Sequence, residues 1–399
     1  MTNPLLFQTW ALKGVAARNR IVVSPMCQYK SVDGSPTDWH LVNLGRYAIG
    51  GAGVVFYEET AVEARGRKTP HCAGLFDDAQ VPLYRRIAGF LKSLGSVPAM
   101  QLGHSGSRGS EMGPMQGRAS LEQDGGEAWQ AISASDIPVR AGAPAPRAMT
   151  RSEIRDVVDA FASATRRSRE AGFEIMEIHG AHGYLIHQFL SPVVNRRTDA
   201  YGGSLSNRMR FALEVTEAVR AEWPDDKPLF YRASCVDGKG GIWNLDDTVA
   251  LAREVARLGV DLFDCSSGGI TGTSDMPLVA RVPGYHLPFG RRIKEETGLP
   301  TMAPGMITEP LQAERALQDG AIDLVGMARQ LMMHADWPVH AAEVLQMADP
   351  LEWLPEDFAF RLRGRKDQRE MAFNRDPQPV STWSAPEMAA SGPARAGHR

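Results

Sequence analysis

Residues 150 to 180, TRSEIRDVVDAFASATRRSREAGFEIMEIHG, place a helix and a strand in direct succession. Over Glu153–Ala171, apolar residues recur at the spacing of one helix face. Thr150 and Glu153 form a capping box that predicts the start of this helix, and Gly172 predicts its end. The short run Ile175–His179 that follows is predicted as a strand. A helix that leads straight into a strand is the repeating unit of α/β proteins.

The same alternation extends over most of the chain. Short β-branched or apolar runs are predicted as eight strands, namely Ile21–Met26, Val54–Glu58, Val97–Leu102, Ile175–His179, Leu229–Ala233, Leu262–Ser266, Pro300–Ala303 and Ile322–Gly326. Further amphipathic runs are predicted as helices, namely Leu205–Trp223, Leu245–Leu258, Pro288–Thr297 and Glu309–Asp319. Eight strands, each followed by a helix, predict an α/β fold of the (β/α)8 TIM barrel type.

A doubly wound open sheet shares this alternation and is the alternative fold. In that fold a GxGxxG fingerprint would follow the first strand, and the sequence has none there. The polar, glycine-rich segments lie after strands throughout the chain, which favours the barrel. Because barrel enzymes carry their chemistry on the loops at the carboxyl ends of the strands, those loops are the place to search for a site.

Composition narrows the class of protein. The 399 residues include 44 Lys and Arg against 47 Asp and Glu, for a net charge of −3, and 43% are apolar. This balance disfavours a nucleic-acid partner that relies on a basic face. No apolar run of about 20 residues predicts a membrane span, and the first residues do not resemble a signal peptide. The four cysteines form no CxxC pair. We therefore expect a cytoplasmic enzyme.

Three segments are predicted along the chain. Residues 1–345 form the barrel, and residues 104–150, which are rich in Gly, Ser, Pro and Met, form an insertion that caps its mouth. Residues 346–375 are predicted to pack on the barrel or on a neighbouring subunit. Residues 376–399 are low in apolar content and are predicted to form a disordered, flexible tail.

A pair of histidines follows the fourth strand, in the run Glu177–Tyr184. At a strand end, His179 and His182 can aim two N–H groups at one point, but they could equally be part of a metal site or a structural pair. A metal-dependent barrel hydrolase would need further ligands at other strand ends. The segment after the first strand, SPMCQY at 24–29, offers neither His nor an acidic residue. This disfavours a metal.

Motifs at many strand ends resemble the old yellow enzyme family of FMN-dependent NAD(P)H ene-reductases, especially its bacterial class with a cysteine close to the flavin. The matching positions span residues 4 to 345 and are Asn19-Arg20, Pro25–Tyr29, Glu59–Val62, Gln101, His104, the HxxHGY run 179–184, the NxRxDxYGGS run 195–204, Asn207-Arg208, Arg232, Gly305–Ile307 and Ala328-Arg329.

The resemblance implies that FMN lies across the barrel mouth. Its phosphate is expected on backbone N–H groups near Gly305 and Arg329, where the family usually has Gly at the position of Ala328. Arg232 is expected to stabilise the anionic reduced flavin. The residues expected to contact the cofactor are Pro25, Met26, Cys27, Ala61, Gln101, Arg232, Gly305, Ala328 and Arg329. No metal is expected.

The resemblance also implies the reaction. His179 and His182 would bind the carbonyl or nitro oxygen of a small-molecule substrate with an activated C=C bond, beside Cys27 and Tyr29. Flavin N5 would supply hydride to the β-carbon and Tyr184 the proton, with NADPH or NADH as co-substrate. Alternatives are action on nitroaromatics, acyl-CoA thioesters or a biosynthetic intermediate, or a non-catalytic flavin-binding module. A homo-oligomer, dimer or tetramer, is expected.

Overall fold

Parallel strands alternate with helices in the computed structural model, which describes residues 3–117, 119–121, 127–273 and 278–373. The barrel strands are β1 (Ile21–Val23), β2 (Val54–Phe56), β3 (Val97–Gly103), β4 (Ile175–Gly180), β5 (Leu229–Ser234), β6 (Leu262–Ser266), β7 (Thr301–Met302) and β8 (Val325–Met327). Each strand pairs with the next from β1 to β7, and β8 pairs with β1. The α/β barrel predicted from the sequence is confirmed.

Helices connect these strands. They are α1 (Asp38–Ile49), α2 (Val81–Ser93), α3 (Arg151–Glu170), α4 (Leu185–Leu190), α5 (Leu205–Glu222), α6 (Leu245–Arg257), α7 (Leu287–Thr297), α8 (Pro310–Gln318), α9 (Arg329–Met333), α10 (Trp337–Val344) and α11 (Glu356–Phe373). The capping box predicted for α3 is present, with the Thr150 hydroxyl accepting from the Glu153 N–H and the Glu153 carboxylate accepting from the Thr150 N–H.

The junction of β7 and β8, called the seam below, closes the barrel with few contacts. In the described residues a single bridge, Met302 to Leu324, joins the two strands. Asp323 reinforces it twice, because its N–H donates to the Thr301 carbonyl at 2.8 Å and its Oδ2 accepts from the Thr301 N–H at 2.9 Å. Lys294 Nζ lies 2.8 Å from Oδ1 of the same carboxylate.

Strand bounds differ from the prediction mainly beside this seam. The sequence predicts β8 over Ile322–Gly326, but the N–H groups of Asp323 and Leu324 both reach the Thr301 carbonyl, so the ladder with β1 begins at Val325. The first strand was expected to continue to Met26 and ends at Val23, before Pro25, which has no N–H to donate. The seventh, expected over Pro300–Ala303, has two residues.

Apolar side chains fill the amino-terminal end of the barrel. A hairpin of Trp10–Leu12 and Val15–Ala17 brings Trp10 edge-on to Phe230 of β5, with 6.1 Å between ring centroids. Both belong to a buried cluster that includes residues from the first half of the barrel strands. Polar side chains are therefore concentrated at the opposite end, where the strands reach their carboxyl termini.

The insertion at 104–150 contacts the chain that follows β4. The Ser107 N–H and the Ser133 hydroxyl donate to Gln188 Oε1 of α4 at 3.1 and 2.9 Å. Its two short strands, Ile132–Ser133 and Arg147–Ala148, pair in parallel. The capping role of the insertion stays a prediction.

The chain divides into a unit that ends at Leu354 and a second unit that begins at Pro355. Within the second unit, Arg363 Nη1 of α11 lies 3.0 Å from Glu356 Oε1. The segment boundaries at 345 and 375 stay predictions, and the predicted disordered tail at 376–399 lies outside the described residues.

Candidate active site

A buried polar cluster lies near the carboxyl ends of the central strands. In the register, Gln101 is opposite Glu177, and Arg232 is opposite both His179 and Asp264. Gln101 Nε2 donates to Glu177 Oε1 at 2.6 Å, and Arg232 Nε lies 3.1 Å from Asp264 Oδ2. All these side chains are buried. The two predicted flavin-contacting residues Gln101 and Arg232 are thus held in place by acidic neighbours.

Burial sets the protonation of this cluster. It raises the pKa of Glu177 well above the usual range, and the Asp264 charge raises it further, whereas Arg232 lowers it. Burial also raises the pKa of Asp264, to about 6, against the opposing charge of Arg232. At neutral pH, Glu177 is therefore protonated and the Asp264 carboxylate balances Arg232. One positive and one negative charge make the cluster neutral overall.

The HxxHGY run brings its three predicted catalytic side chains together. The His179 ring centroid lies 5.0 Å from those of both His182 and Tyr184, and Tyr184 packs edge-on. His182 Nε2 is 2.7 Å from Ser266 Oγ, and Nδ1 of His179 is buried with no hydrogen-bond partner among the described residues. Within the same ranges, no three His, Cys, Asp or Glu side chains form a group that could hold a metal.

Protonation of these three side chains also follows from burial. Burial, and then the positive charge of Arg232, lower the pKa values of His179 and His182 well below 6.5. Burial raises the pKa of the Tyr184 phenol well above 10. At neutral pH the site therefore presents two uncharged imidazoles and one protonated phenol.

The loops after β4 and β6 touch through their backbones. A Cβ on Gly183 would lie 2.3 Å from the Gly269 carbonyl oxygen, so only glycine allows this approach. His182, just before it, has a φ of +62°. A left-handed non-glycine residue costs free energy and persists only where neighbouring contacts impose it.

The segment Pro25–Tyr29 is tied to the loop after β2. The Gln28 N–H donates to Glu58 Oε2 at 2.7 Å, and Tyr29 has a φ of +56°. Burial and the Glu58 charge raise the pKa of Glu59 to about 8. Burial, Glu58 and Glu59 raise the pKa of the Cys27 thiol, so this thiol stays protonated at neutral pH. Pro25, Met26, Cys27 and Tyr29 are partly exposed, and Ala61 is buried.

Backbone donors face no protein acceptor at the ends of β7 and β8. In the described parts of the chain, no hydrogen bond uses the N–H groups of Gly305, Ala328 or Arg329. The Arg329 side chain is exposed. His286 joins the loops after β6 and β7, because its Nε2 is 2.8 Å from Ser267 Oγ and its Nδ1 donates to the Pro304 carbonyl. Burial lowers the pKa of His286 to about 4.

These observations fit an anionic cofactor such as FMN. Nε of Arg232 is buried without a hydrogen-bond partner among the described residues, although it lies beside Asp264. The unused N–H groups at Gly305, Ala328 and Arg329 are the kind of donors that bind a phosphate. The predicted residues thus fall into four groups at strand ends, around Gln101 and Arg232, around His179, around Cys27 and around Gly305. Their contacts with a cofactor stay predictions.

Sequence reasoning did not assign the supporting residues Glu177, Asp264, Ser266 and His286. Alternation along a strand could have indicated two of them, because Glu177 lies two residues before His179 and Asp264 two residues before Ser266, on the same face. His286 gives no such signal, since it lies at the start of α7, far in sequence from the residues it joins.

Comparisons with known proteins find relatives over most of the chain. The model of the NADH:flavin oxidoreductase / NADH oxidase family matches residues 5–347. An NADPH dehydrogenase of Geobacillus sp. strain WCH70 is 40% identical over 344 residues, 86% of this chain and 94% of the relative. That of Bacillus licheniformis is 39% identical over 347 residues, 86% of this chain and 96% of the relative.

Solved structures share the fold. Morphinone reductase superposes with a TM-score of 0.71 at 24% identity, over 86% of this chain and 90% of its own. An old yellow enzyme homologue from Zymomonas mobilis gives a TM-score of 0.69 at 24% identity, over 88% of this chain and 97% of its own.

An oxidoreductase built on a flavin-binding α/β barrel is the class that this fold and site define. The chain belongs to the NADH:flavin oxidoreductase / NADH oxidase family, and the resemblance to the old yellow enzymes is confirmed. The protein is an FMN-dependent NAD(P)H oxidoreductase that acts on a small-molecule substrate. Among the described residues, no helix is long and apolar enough to cross a membrane.

Proposed function

We propose that the protein reduces the activated C=C bond of α,β-unsaturated carbonyl or nitro compounds, with NADPH or NADH as the electron donor. The observation that supports this most directly is that the ring centroid of His179 lies 5.0 Å from those of both His182 and Tyr184 at the end of β4. Two hydrogen-bond donors and a proton source are the groups that such a reduction needs from the protein.

The histidines supply the hydrogen bonds to the substrate oxygen. Because both imidazoles are neutral, each carries one N–H. When the Ser266 hydroxyl donates to His182 Nε2, the proton of His182 is on Nδ1, and both histidines can donate to the same oxygen. Negative charge grows on that oxygen as the alkene accepts hydride, so these hydrogen bonds strengthen toward the transition state. Burial, and after it the proximity of Arg232, lower both pKa values and keep the imidazoles neutral.

Tyr184 supplies the proton to the α-carbon. Its high pKa keeps the hydroxyl protonated through the working pH range, and its edge-on contact with His179 limits the directions the ring can take. Cys27 and Tyr29 form the neighbouring part of the pocket, where the protonated thiol adds no charge.

Arg232 and Gln101 would hold FMN at the polar edge of its ring, and Pro25, Met26, Cys27 and Ala61 would line the ring. Backbone N–H groups at Gly305, Ala328 and Arg329 would bind the phosphate, with charge added by the Arg329 side chain. FMN bound there would supply the hydride after its reduction by NADPH or NADH. The residues of the chain determine where the substrate lies and which oxygen gains charge.

Stopped-flow absorbance of the purified holoenzyme tests this proposal. Under anaerobic conditions, NADPH should bleach the yellow colour and 2-cyclohexenone should restore it, and the variant His179→Ala should slow only the second step. Matched runs with a nitroaromatic compound and with an unsaturated acyl-CoA thioester test the alternatives. Faster restoration by either one would replace the enone proposal, and absence of NAD(P)H oxidation despite bound FMN would indicate a non-catalytic flavin-binding module.

A cytoplasmic location and self-association as a dimer or tetramer stay predictions. Light scattering coupled to size exclusion measures the mass in solution directly, and a single species of 43.6 kDa would contradict the expected oligomer.

A further inference from the structure

A buried histidine–aspartate pair lies directly behind the HxxHGY loop. The Gly183 N–H donates to His187 Nδ1 at 3.0 Å, and His187 Nε2 is 2.8 Å from Asp237 Oδ1. Both side chains of the pair have no exposed surface. His187 belongs to α4, and Asp237 follows β5, so the pair links two loops at the barrel mouth.

Asp237 is bound on both of its oxygens. Its Oδ2 accepts from the Ser191 hydroxyl at 2.7 Å and from the N–H groups of Ile242 and Trp243, both at 3.0 Å. Burial alone would raise the pKa of this carboxyl, but the hydrogen bond from His187, together with these donors, lowers it. A carboxylate is therefore present at neutral pH.

This arrangement fixes the tautomer of His187. Nδ1 accepts a hydrogen bond from the Gly183 N–H, so it cannot carry a proton, and the proton resides on Nε2, where the Asp237 carboxylate accepts it. In an Asp237→Asn variant, the side-chain NH2 group would face another donor in either orientation. It would meet the N–H at His187 Nε2, or the three donors that Oδ2 binds in the wild type. The direction of the Gly183 N–H is thus set by Asp237 through the imidazole.

The other side of Gly183 is held by the next residue of α4. Gln188 Nε2 donates to the Gly183 carbonyl at 2.7 Å. Both peptide units of Gly183 are therefore bound by consecutive side chains of one short helix, directly between His182 and Tyr184. His182 is held in a left-handed conformation that needs such support.

We propose that His187 and Asp237 are positioning residues of the proposed reductase reaction, which hold the peptide between His182 and Gly183 and thereby orient the His182 imidazole and the Tyr184 phenol. This inference rests on the proposed function. Two further buried histidines repeat the pattern beside the site. The Thr37 and Gly106 N–H groups donate to Nδ1 of His40 and His104, whose Nε2 atoms lie 2.8 and 2.9 Å from Glu58 and Glu63.

The test combines Asp237→Asn with two substitutions at His187. Asp237→Asn and His187→Leu should each lower kcat for 2-cyclohexenone about 10- to 100-fold while the Kd for FMN stays within about twofold, because a buried hydrogen bond is lost away from the cofactor. His187→Gln can still accept from Gly183 and donate to Asp237, so it should recover most of the kcat. Glu314→Gln is the matched control, since this buried carboxylate accepts from the Leu5 and Leu6 N–H groups and should affect stability alone.

Hydrogen exchange at the Gly183 amide separates this proposal from the proposed function. The exchange rate should rise by about 10- to 100-fold in Asp237→Asn and His187→Leu, and not in Glu314→Gln, whatever reaction the enzyme performs. Unchanged Gly183 protection together with kcat within twofold of the wild type would overturn the proposal. Faster exchange without turnover of any enone by the wild type would support the positioning role and count against the proposed reaction. If Asp237→Asn does not fold, Ser191→Ala, which removes one donor to Asp237, takes its place with the same expected directions.

Discussion

At the scale of single residues, the site depends on keeping its polar groups in defined protonation states. His179 and His182 stay neutral because burial and Arg232 lower their pKa values, and Tyr184 stays protonated because burial raises its pKa. Burial raises the pKa of Asp264 to about 6 and, with the charge of Glu58, that of Glu59 to about 8. Between those two values, His179, His182 and Tyr184 keep their charge.

We therefore expect kcat/KM for an enone to change less than about threefold between pH 6.5 and 7.5. A catalytic histidine with an ordinary pKa would instead change kcat/KM near pH 6.5. The lowered pKa values of His179 and His182 move their protonation to lower pH. Steady-state rates in buffers of constant ionic strength provide the measurement. Glu59→Gln should remove a change near pH 8 and leave the rest of the profile as it is.

Arg232 offers a second prediction at this scale. Arg232→Met leaves the buried Asp264 carboxylate without its cation and should lower the free energy of unfolding by about 3–5 kcal/mol, measured by urea denaturation. Adding Asp264→Asn removes the charge left behind and should restore part of that loss. If Arg232 contacts the flavin, the Kd for FMN should stay weakened in both variants. Recovery of FMN affinity in the double variant would contradict a contact between Arg232 and the cofactor.

At the scale of elements, the carboxyl-terminal loops hold one another in place. The backbones after β4 and β6 meet at Gly183 and Gly269, and His286 joins the loops after β6 and β7. At Gly183 the contact with Gly269 leaves no room even for a Cβ atom. The geometry of the site is thus a property of neighbouring loops rather than of one motif.

Alanine substitutions at two glycines separate conformation from contact. Gly183 and Gly203 have φ values of +73° and +80°, but a Cβ at Gly203 meets no heavy atom within 4 Å. Gly203→Ala should cost about 1–2 kcal/mol, for the left-handed conformation alone. Gly183→Ala should cost at least about 1 kcal/mol more, because its Cβ would collide with the Gly269 carbonyl. Equal losses in thermal unfolding of the two variants would contradict the backbone contact.

The alternation of apolar runs was sufficient to predict the α/β barrel. The spacing of His179 and His182 at a strand end predicted that their imidazoles meet, whereas Tyr184 was assigned through the resemblance to the old yellow enzymes. The sequence alone could not predict the pairing of His187 with Asp237 or of Arg232 with Asp264, since these residues are far apart in the chain and only the closed barrel makes them neighbours. The late start of β8 was missed for a related reason, because local propensity does not show that Thr301 competes for the Asp323 N–H.

At the scale of the whole molecule, the barrel is unevenly closed. β5 and β6 pair over five residues, whereas a single bridge in the described residues joins β7 to β8. Similar carboxylate clamps occur at both places. Asp261 Oδ2 accepts from the Leu229 N–H at 2.9 Å and Oδ1 lies 3.0 Å from Lys13 Nζ, which matches the contacts of Asp323 with Thr301 and Lys294.

Replacing each clamp by alanine should reveal this difference. Asp323→Ala should lower the free energy of unfolding by about 1–3 kcal/mol and accelerate hydrogen exchange in β7 and β8, because a buried backbone donor loses its acceptor where few contacts remain. Asp261→Ala removes the corresponding bonds and a contact with Arg220 Nη1 at 3.4 Å, but beside a continuous ladder, so local exchange in β5 and β6 should change less. Equal changes in hydrogen exchange in the two variants would show that the seam has the same local stability as the β5–β6 pair.

The weakly paired seam lies under the strand ends that supply Gly305 and Arg329. In the proposed arrangement, the loops after β7 and β8, on both sides of the seam, would bind the phosphate of FMN. Binding of the cofactor and pairing of β7 with β8 would therefore stabilise each other. A ligand present at 100 times its Kd adds about 2.7 kcal/mol to folding stability by mass action. Here that added stability would act on the junction of β7 and β8, where the strands make the fewest hydrogen bonds to each other. Without flavin, the seam would therefore be the first part of the barrel to open.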